Sequence, residues 1–197
     1  MDSLLVFAHP RRNSLTGRIV DIFENALTAS GHNVEIADLY SEGFDPRLGS
    51  ADEPDWDDSK KIYSPEVQAE MARVERNEAT VLVFPVFWWS MPALLKGWID
   101  RVWNNGWAYG DAKYPHRHVW MIAIAGNEHP SYVKRGYDTA MKTQLKVGIL
   151  DYCGVQEPRL EILCGSIEGQ EYVDQILRDA TRLGGEYKDT ITNAREK

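Results

Sequence analysis

The sequence predicts an α/β fold in a single domain, residues 1–197, built as a three-layer sandwich with a five-stranded parallel sheet between two layers of helices. Three observations predict it. Short apolar runs recur five times, the first, third and fourth too continuous for a half-exposed strand. Stretches with helical spacing alternate with them, so β-α units repeat along the chain. Polar or glycine- and proline-bearing turns separate each run from the helix that follows. No repeat, linker or change of composition divides the 197 residues.

Leu4-Leu5-Val6-Phe7-Ala8 is the first strand. It runs into the polar turn His9-Pro10-Arg11-Arg12-Asn13-Ser14, and Leu15, Ile19, Phe23 and Leu27 then mark a helix capped by Ser14. Strand, polar turn and helix start form a geometry that suits a phosphate, because unpaired N–H groups and the positive helix end face the ligand. The Asn13 amide, the hydroxyls of Ser14 and Thr16 and the two arginines fit that task. An ordinary βα turn is the plain alternative. Neither G-x-G-x-x-G nor G-x-x-x-x-G-K-[ST] occurs, which argues against a dinucleotide-type site or a nucleotide triphosphatase.

Val34-Glu35-Ile36-Ala37 alternates as a second strand near one edge. The long segment 45–62 follows, with the acidic run Asp52-Glu53-Pro54-Asp55-Trp56-Asp57-Asp58. Its acids lack calcium-loop spacing, and it is expected to be a solvated lid. Ser64-Pro65-Glu66 starts the second helix, whose buried face is Val67, Met71 and Val74.

The third strand, Val81-Leu82-Val83-Phe84, opens the stretch around which the chain is organised. Pro85-Val86-Phe87-Trp88-Trp89 puts large rings into a loop at the strand's carboxyl end, where parallel sheets bind ligands. Such rings serve either as packing or a dimer patch, or as a stacking wall for a flat conjugated ring. Their place directly after a buried central strand favours the wall. A helix begins at Ser90-Met91-Pro92, with the proline expected in its first turn and Leu95, Ile99 and Val102 on its apolar face.

His116 and His118 are expected to be a surface pair rather than metal ligands, since no third ligand is near. Val119 to Ala125 is the fourth strand, ending in the polar loop Gly126-Asn127-Glu128-His129-Pro130-Ser131-Tyr132. Gly126 would let a ring approach the backbone closely. One helix is expected to reach Tyr152 and stop at Gly154. Leu160 to Cys164 is the fifth strand, and a last helix, with Val173, Ile176, Leu177 and Ala180 on one face, runs into a charged tail. The strand order 2-1-3-4-5, that of flavodoxin-like sheets, brings the three polar or aromatic loops after strands 1, 3 and 4 around one crevice.

Charge and composition exclude several classes. The net charge is −8, with no basic stripe to follow a nucleic-acid backbone. No apolar run nears the ~18 residues a membrane span needs, and no signal-type segment precedes the first strand. Cys153 and Cys164 are the only cysteines and lack metal-ligand spacing, which suits free buried thiols in a reducing cytoplasm. No metal site is expected.

AHPRRNSLT (8–16), DLYSEGFDP (38–46), YSPEVQAE (63–70), FPVFWWSMPALLKGWIDRVW (84–103), the Trp107-Ala108-Tyr109 triplet and the Gly126 loop together resemble the flavodoxin-fold NAD(P)H:quinone oxidoreductases. This is the DT-diaphorase-like family that includes bacterial ancillary flavoproteins of potassium-efflux systems. The resemblance covers most of the chain. It implies that His9, Asn13, Ser14, Leu15 and Thr16 hold the flavin phosphate. Pro85, Val86, Phe87, Trp88 and Trp89 would lie along the isoalloxazine ring, with Trp89 lining the substrate pocket. Ile124, Ala125, Gly126, Asn127 and Tyr132 would contact the ring's pyrimidine side, and Tyr109 would reach into the neighbouring subunit's pocket of a homodimer. Trp89, Tyr109 and Tyr132 are thus the candidates closest to the chemistry.

Two departures matter. The family often has Thr-Thr-Gly-Gly where this chain has Ile124-Ala125-Gly126-Asn127, so backbone N–H groups are expected to replace the lost hydroxyls. A pocket histidine of the family falls near Asp138, which removes a tyrosine–histidine relay and leaves Tyr132 or solvent as proton source. The resemblance implies FAD, suggested by the long segment 45–62, with FMN as the alternative; NAD(P)H as donor; and ping-pong hydride transfer to quinones or similar flat electrophiles in a closed aromatic slot. The competing role it implies is regulatory, as an ancillary flavoprotein on a potassium-efflux transporter. A single-electron carrier is a third reading, disfavoured by the bulky slot.

Overall fold

In the computed structural model, which describes residues 1–195, five strands form one parallel sheet in the order β2-β1-β3-β4-β5. The strands are β1 (Asp2–Phe7), β2 (Asn33–Asp38), β3 (Ala79–Pro85), β4 (His118–Ile124) and β5 (Glu157–Leu163). The helices are α1 (Leu15–Thr28), α2 (Pro65–Glu75), α3 (Ala93–Val102), α4 (His129–Arg135), α5 (Tyr137–Met141) and α6 (Gln170–Arg195). The strand order and both helical layers agree with the sequence.

Side chains alternate across the sheet and fill two cores. Leu4, Val6, Leu82, Phe84, Met121 and Ala123 face α2 and α3, where Val67, Val74, Leu95 and Trp98 meet them. Leu5, Phe7, Val81, Val83, Ile122 and Ile124 face α1 and α6, against Ile19, Phe23, Leu183 and Tyr187. The register Val6↔Leu82↔Met121↔Leu160 brings the carboxyl ends of β1, β3 and β4 to one edge. Central strands buried on both faces are the reason their sequences read as unbroken apolar runs.

Three expectations change in detail. Pro92 is the N-cap of α3, not part of its first turn, and the helix opens at Ala93. The helix expected to run to Tyr152 is broken at Gly136, whose φ of 69° is left-handed, and after α5 it widens into a π-helical segment, Lys142–Asp151. There Tyr152 N–H donates to Val147 O, five residues back, and Gly154, left-handed at φ 72°, ends the segment as expected, with Val155 N–H on Leu150 O. The helix α6 continues to Arg195, and the end of the expected charged tail, 196–197, lies outside the described residues.

His116 and His118 are buried, not a surface pair. The His116 ring is 2.6 Å from Thr80 Oγ1 through Nδ1, and its Nε2 is 2.8 Å from Asn77 O and 2.9 Å from Val74 O. Spacing cannot reveal this, because the partners lie in β3 and at the end of α2. Among the described residues no cluster of three or more His, Cys, Asp or Glu could hold a metal ion, and no helix is long and apolar enough to cross a membrane.

Candidate functional site

At the carboxyl end of β3 the chain makes a two-residue hairpin turn. Phe87 N–H donates to Ser90 O at 3.0 Å and Ser90 N–H to Phe87 O at 3.1 Å. The central residues, Trp88 and Trp89, both have positive φ, 51° and 54°. Turns of this kind select asparagine or glycine, because a Cβ in the left-handed region is crowded by the backbone. Two tryptophans there keep about 1–2 kcal/mol of strain each, of the sort that collects at functional sites. The strain holds the rings out of the core: Trp88 is 88% exposed, Phe87 53% and Trp89 37%.

This turn faces the loop after β4 across a cavity of about 360 Å³, lined by Val86, Phe87, Trp88, Trp89, Gly126, Asn127 and Tyr132. The structure therefore unites most of the two aromatic and glycine segments. Pro85 ends β3 and Ile124 ends β4, directly beneath, paired in register. Val86 N–H is tied to Ile124 O at 2.8 Å. Tyr132 is 5% exposed and its phenol is held above its usual pKa, first by burial and then by Cys164 and Tyr137 nearby. It stays a neutral O–H donor through the physiological range.

The backbone contacts expected of residues 124–127 are narrower than the sequence suggests. Ala125 N–H donates to Leu163 O at 2.8 Å, and Ala125 O accepts from Gly165 and Ser166. The Ala125 amide is thus spent within the sheet and the loop before α6, which leaves Gly126 and Asn127 to offer N–H groups. A Cβ on Gly126 would meet only the Ile167 side chain, at 3.5 Å and beyond. The protein's own packing does not require that glycine.

The start of α1 lies at the same end of the sheet, after β1. Ser14 caps it as expected, accepting from Gly17 N–H at 3.2 Å. The N–H groups of Leu15 and Thr16 are surplus to the helix ladder by its geometry. Thr16 is buried and Asn13 is exposed beside them. His9 Nδ1 is 2.9 Å from Arg11 N and 3.1 Å from Arg11 O, which ties that side of the ring to the turn. Burial chiefly holds the His9 pKa below its ordinary value, so the ring is neutral.

Arg12 does not serve an anion. It donates to Gly17 O at 2.9 Å, pairs with Asp21 and lies over the Phe7 ring. Sequence reading also missed Gly17, where a Cβ would fall 1.8 Å from Arg12 O. Only glycine lets the 9–14 turn fold back onto the helix.

Tyr109 lies apart from the Trp89 cavity within one chain. It borders an apolar groove of about 280 Å³ with Leu48, Pro54, Ile99, Trp103 and Tyr152. Its ring centroid is 5.8 Å from Trp56 and 5.7 Å from Tyr152. The groove is walled in part by the segment 45–62, which is solvated over most of its length and anchored to the body at a few points. Asp52 is buried against Arg101, Gly97 leaves room for Pro46, Gly106 leaves room for Ser59, and Asn105 Nδ2 donates to Asp55 O at 2.8 Å. Nor is the aromatic slot closed in one chain, since its rings stand open to solvent.

A family described as having a flavodoxin-like fold matches residues 1–183. The chain belongs to this family. Its relatives include the protein named "uncharacterized NAD(P)H oxidoreductase YcaK" of Escherichia coli K12, 39% identical over 85% of this chain and 86% of that one. A mouse ribosyldihydronicotinamide dehydrogenase [quinone] is 27% identical over 77% and 76% of the two chains. Among solved structures, an NAD(P)H:quinone oxidoreductase from Methanothermobacter marburgensis superposes with a TM-score of 0.89 at 28% identity, covering 95% of this chain and 96% of that one. The flavodoxin-like assignment and the observed sheet order agree, and both place the cavity between β3 and β4 at the edge where this architecture binds ligands.

Proposed function

We propose that this protein, an NAD(P)H oxidoreductase of the quinone-reductase type, holds a flavin nucleotide in the cavity between the 86–89 turn and the 126–132 loop. The single observation that carries the reading is that turn: two tryptophans kept in left-handed backbone at the lip of a 360 Å³ slot. Trp89 packs on Tyr137, but core packing gives no reason to hold the Trp88 indole in solvent at such strain; a flat ring to stack on does. The glycine at 126, for which the protein's packing supplies no need, supports the same reading.

The donor set fits the cofactor. Leu15 and Thr16 amides, the Ser14 and Thr16 hydroxyls and Asn13 would hold a phosphate at the positive end of α1, with the His9 ring as a further polar contact. Gly126 and Asn127 amides would meet the ring's polar edge. A bound flavin supplies the two-electron hydride chemistry. The chain positions donor and acceptor: one slot walled by Phe87, Trp89 and Tyr132 admits NAD(P)H and then a quinone-like electrophile in alternation, which gives ping-pong kinetics. Tyr132, neutral and almost buried, has a phenol suited to give the reduced acceptor its proton.

FAD is favoured over FMN by the long 45–62 segment, whose anchorage on α3 makes it a fixed wall rather than a loose loop. The open slot and the solvent-facing Trp56, Tyr152 and Leu48 around Tyr109 favour a homodimer in which Tyr109 completes its partner's slot. The deciding experiment is to denature the purified protein and weigh the cofactor it releases. FAD, with fast bleaching of the holoprotein by NAD(P)H alone, is the expected result, and a colourless protein that takes up neither flavin removes the proposal. Trp89→Ala should impair acceptor turnover more than flavin retention. Equal loss of both would make the indole structural.

A further inference from the structure

Beside the slot lies a second chamber of about 260 Å³, lined by Trp89, Asn127, Ser131, Tyr132, Arg135 and Tyr137. It shares Trp89, Asn127 and Tyr132 with the slot, so the two are neighbouring compartments of one cleft. Its walls are aromatic: the Trp89 and Tyr137 rings lie 4.2 Å apart at 32°, and Tyr132 meets Tyr137 edge-on at 5.9 Å.

The backbone explains how Arg135 and Tyr137 come to line the same space. Residues two apart on a continuous helix point roughly 200° away from each other. Here α4 ends at Arg135, Gly136 turns left-handed at φ 69°, and α5 restarts at Tyr137. That single glycine redirects the chain so that a guanidinium and a phenol ring converge.

Arg135 is the only charged residue among those lining the chamber. Its side chain is exposed and has no hydrogen bond or ion pair within the described residues, as is also true of Arg11 and Arg18, but of these three only Arg135 lines the chamber. Arg12, Arg73, Arg76, Arg101 and Arg159 each pair with carboxylates. The chain as a whole carries a charge of −8, which repels anions from its surface. An unpaired guanidinium at the end of an aromatic chamber reverses that preference locally, and its planar donors match carboxylate, sulfonate or phosphate oxygens.

We propose that Arg135 is a specificity residue that receives an anionic group on the ligand stacked against Trp89 and Tyr137. Two ligands present that chemistry: an acidic quinone or azo acceptor bearing carboxylate or sulfonate, and NADPH through its 2′-phosphate. The inference rests on the oxidoreductase reading of the adjoining slot.

The test uses the holoenzyme and steady-state kcat/KM for 1,4-naphthoquinone and its 2-sulfonate, each with NADH and with NADPH. Wild type is compared with Arg135→Gln and with Lys134→Gln, a neighbouring lysine outside the chamber. Comparing ratios between variants cancels the intrinsic reactivity of each quinone. Arg135→Gln is expected to lower either the sulfonate-to-neutral ratio or the NADPH-to-NADH ratio roughly five- to tenfold, mainly through KM, as suits a half-solvated charged hydrogen bond. The first result identifies the acceptor's anion and the second the donor's phosphate. Both ratios staying within about twofold of wild type overturns the proposal, as does an equal fall in Lys134→Gln, which would mean general charge rather than a built contact. Failure of the wild type to reduce the neutral quinone removes the oxidoreductase reading itself, a result distinct from unchanged ratios at full turnover.

Discussion

Arg101 and Asp52, forty-nine positions apart, form a buried ion pair: Nη2 is 2.7 Å and Nε 3.2 Å from Oδ2. Ser64 N–H donates to the other carboxylate oxygen at 2.8 Å, and Arg101 also holds Glu66 at 2.6 Å and the Asp45 carbonyl. Burial works to raise the Asp52 pKa, but the hydrogen bonds from Arg101 and Ser64 outweigh it and leave the carboxyl below its ordinary value. The pair fastens the 45–62 segment to α3.

Asp52→Asn should therefore release that segment. Glu66 still balances the guanidinium, so the cost is that of the lost charged hydrogen bonds, about 1.5–3 kcal/mol, and it falls on the anchored segment rather than on the sheet. Trypsin is expected to cut at Arg47, Lys60 or Lys61 in the variant well before it cuts wild type, with the circular dichroism of the sheet retained. Because the folded carboxyl is depressed, the stabilisation is present above the unfolded pKa and fades as pH falls through the folded one. Equal cleavage rates at neutral pH would show that the pair does not restrain the segment.

Trp88→Asn should stabilise the protein while harming its activity. Asparagine tolerates the left-handed backbone, and the ring of Trp88 is 88% exposed and gives up almost no packing. A gain of about 1 kcal/mol in the urea-unfolding free energy of the flavin-free protein is expected. A clear loss of stability would mean that the indole makes contacts which its exposure conceals.

Tyr109→Ala should slow turnover only where the protein pairs with itself. Sedimentation at working concentration gives the state of association, and kinetics at the same concentration give the activity. A fully active wild-type monomer would discard the shared slot.

Acid should destabilise the fold before the carboxylates titrate. Burial holds the His116 pKa below its ordinary 6.5 despite the carbonyls of Val74 and Asn77, and burial acts likewise on His118 against the opposing Glu157. The unfolded chain therefore takes up protons first as pH drops through about 6.5, and stability falls from there down to the folded pKa values. The urea midpoint of the flavin-free protein should be lower at pH 5.5 than at pH 7.5; a flat profile would contradict buried neutral imidazoles.

The fold was legible because the three central strands are buried on both faces and must be apolar throughout, and the half-exposed runs of β2 and β5 completed a β-α repeat that left few topologies. The Ser14 and Ser64 caps were equally plain, since a cap is a local event. The aromatic segment 86–89 announced itself by residue type, but its left-handed backbone did not: nothing in two adjacent tryptophans signals a turn that glycine or asparagine normally makes. Asp52 was indistinguishable from the other acids of its run, because its partner lies in another helix. His116 was misread for the same reason. The chamber at Arg135 and Tyr137 had no signal in the sequence, because the expected continuous helix concealed the left-handed turn at Gly136.

The outward-facing indole pair also makes the protein its own gauge. Trp98, Trp103 and Trp120 are sealed in the interior, whereas Trp88 and Trp89 stand at the rim of the slot. A conjugated ring settling there would quench their fluorescence and leave the interior emission far less affected. With Trp56 and the half-buried Trp107 both changed to phenylalanine, the remaining solvent-shifted light would follow occupancy of the cleft directly, without label or turnover.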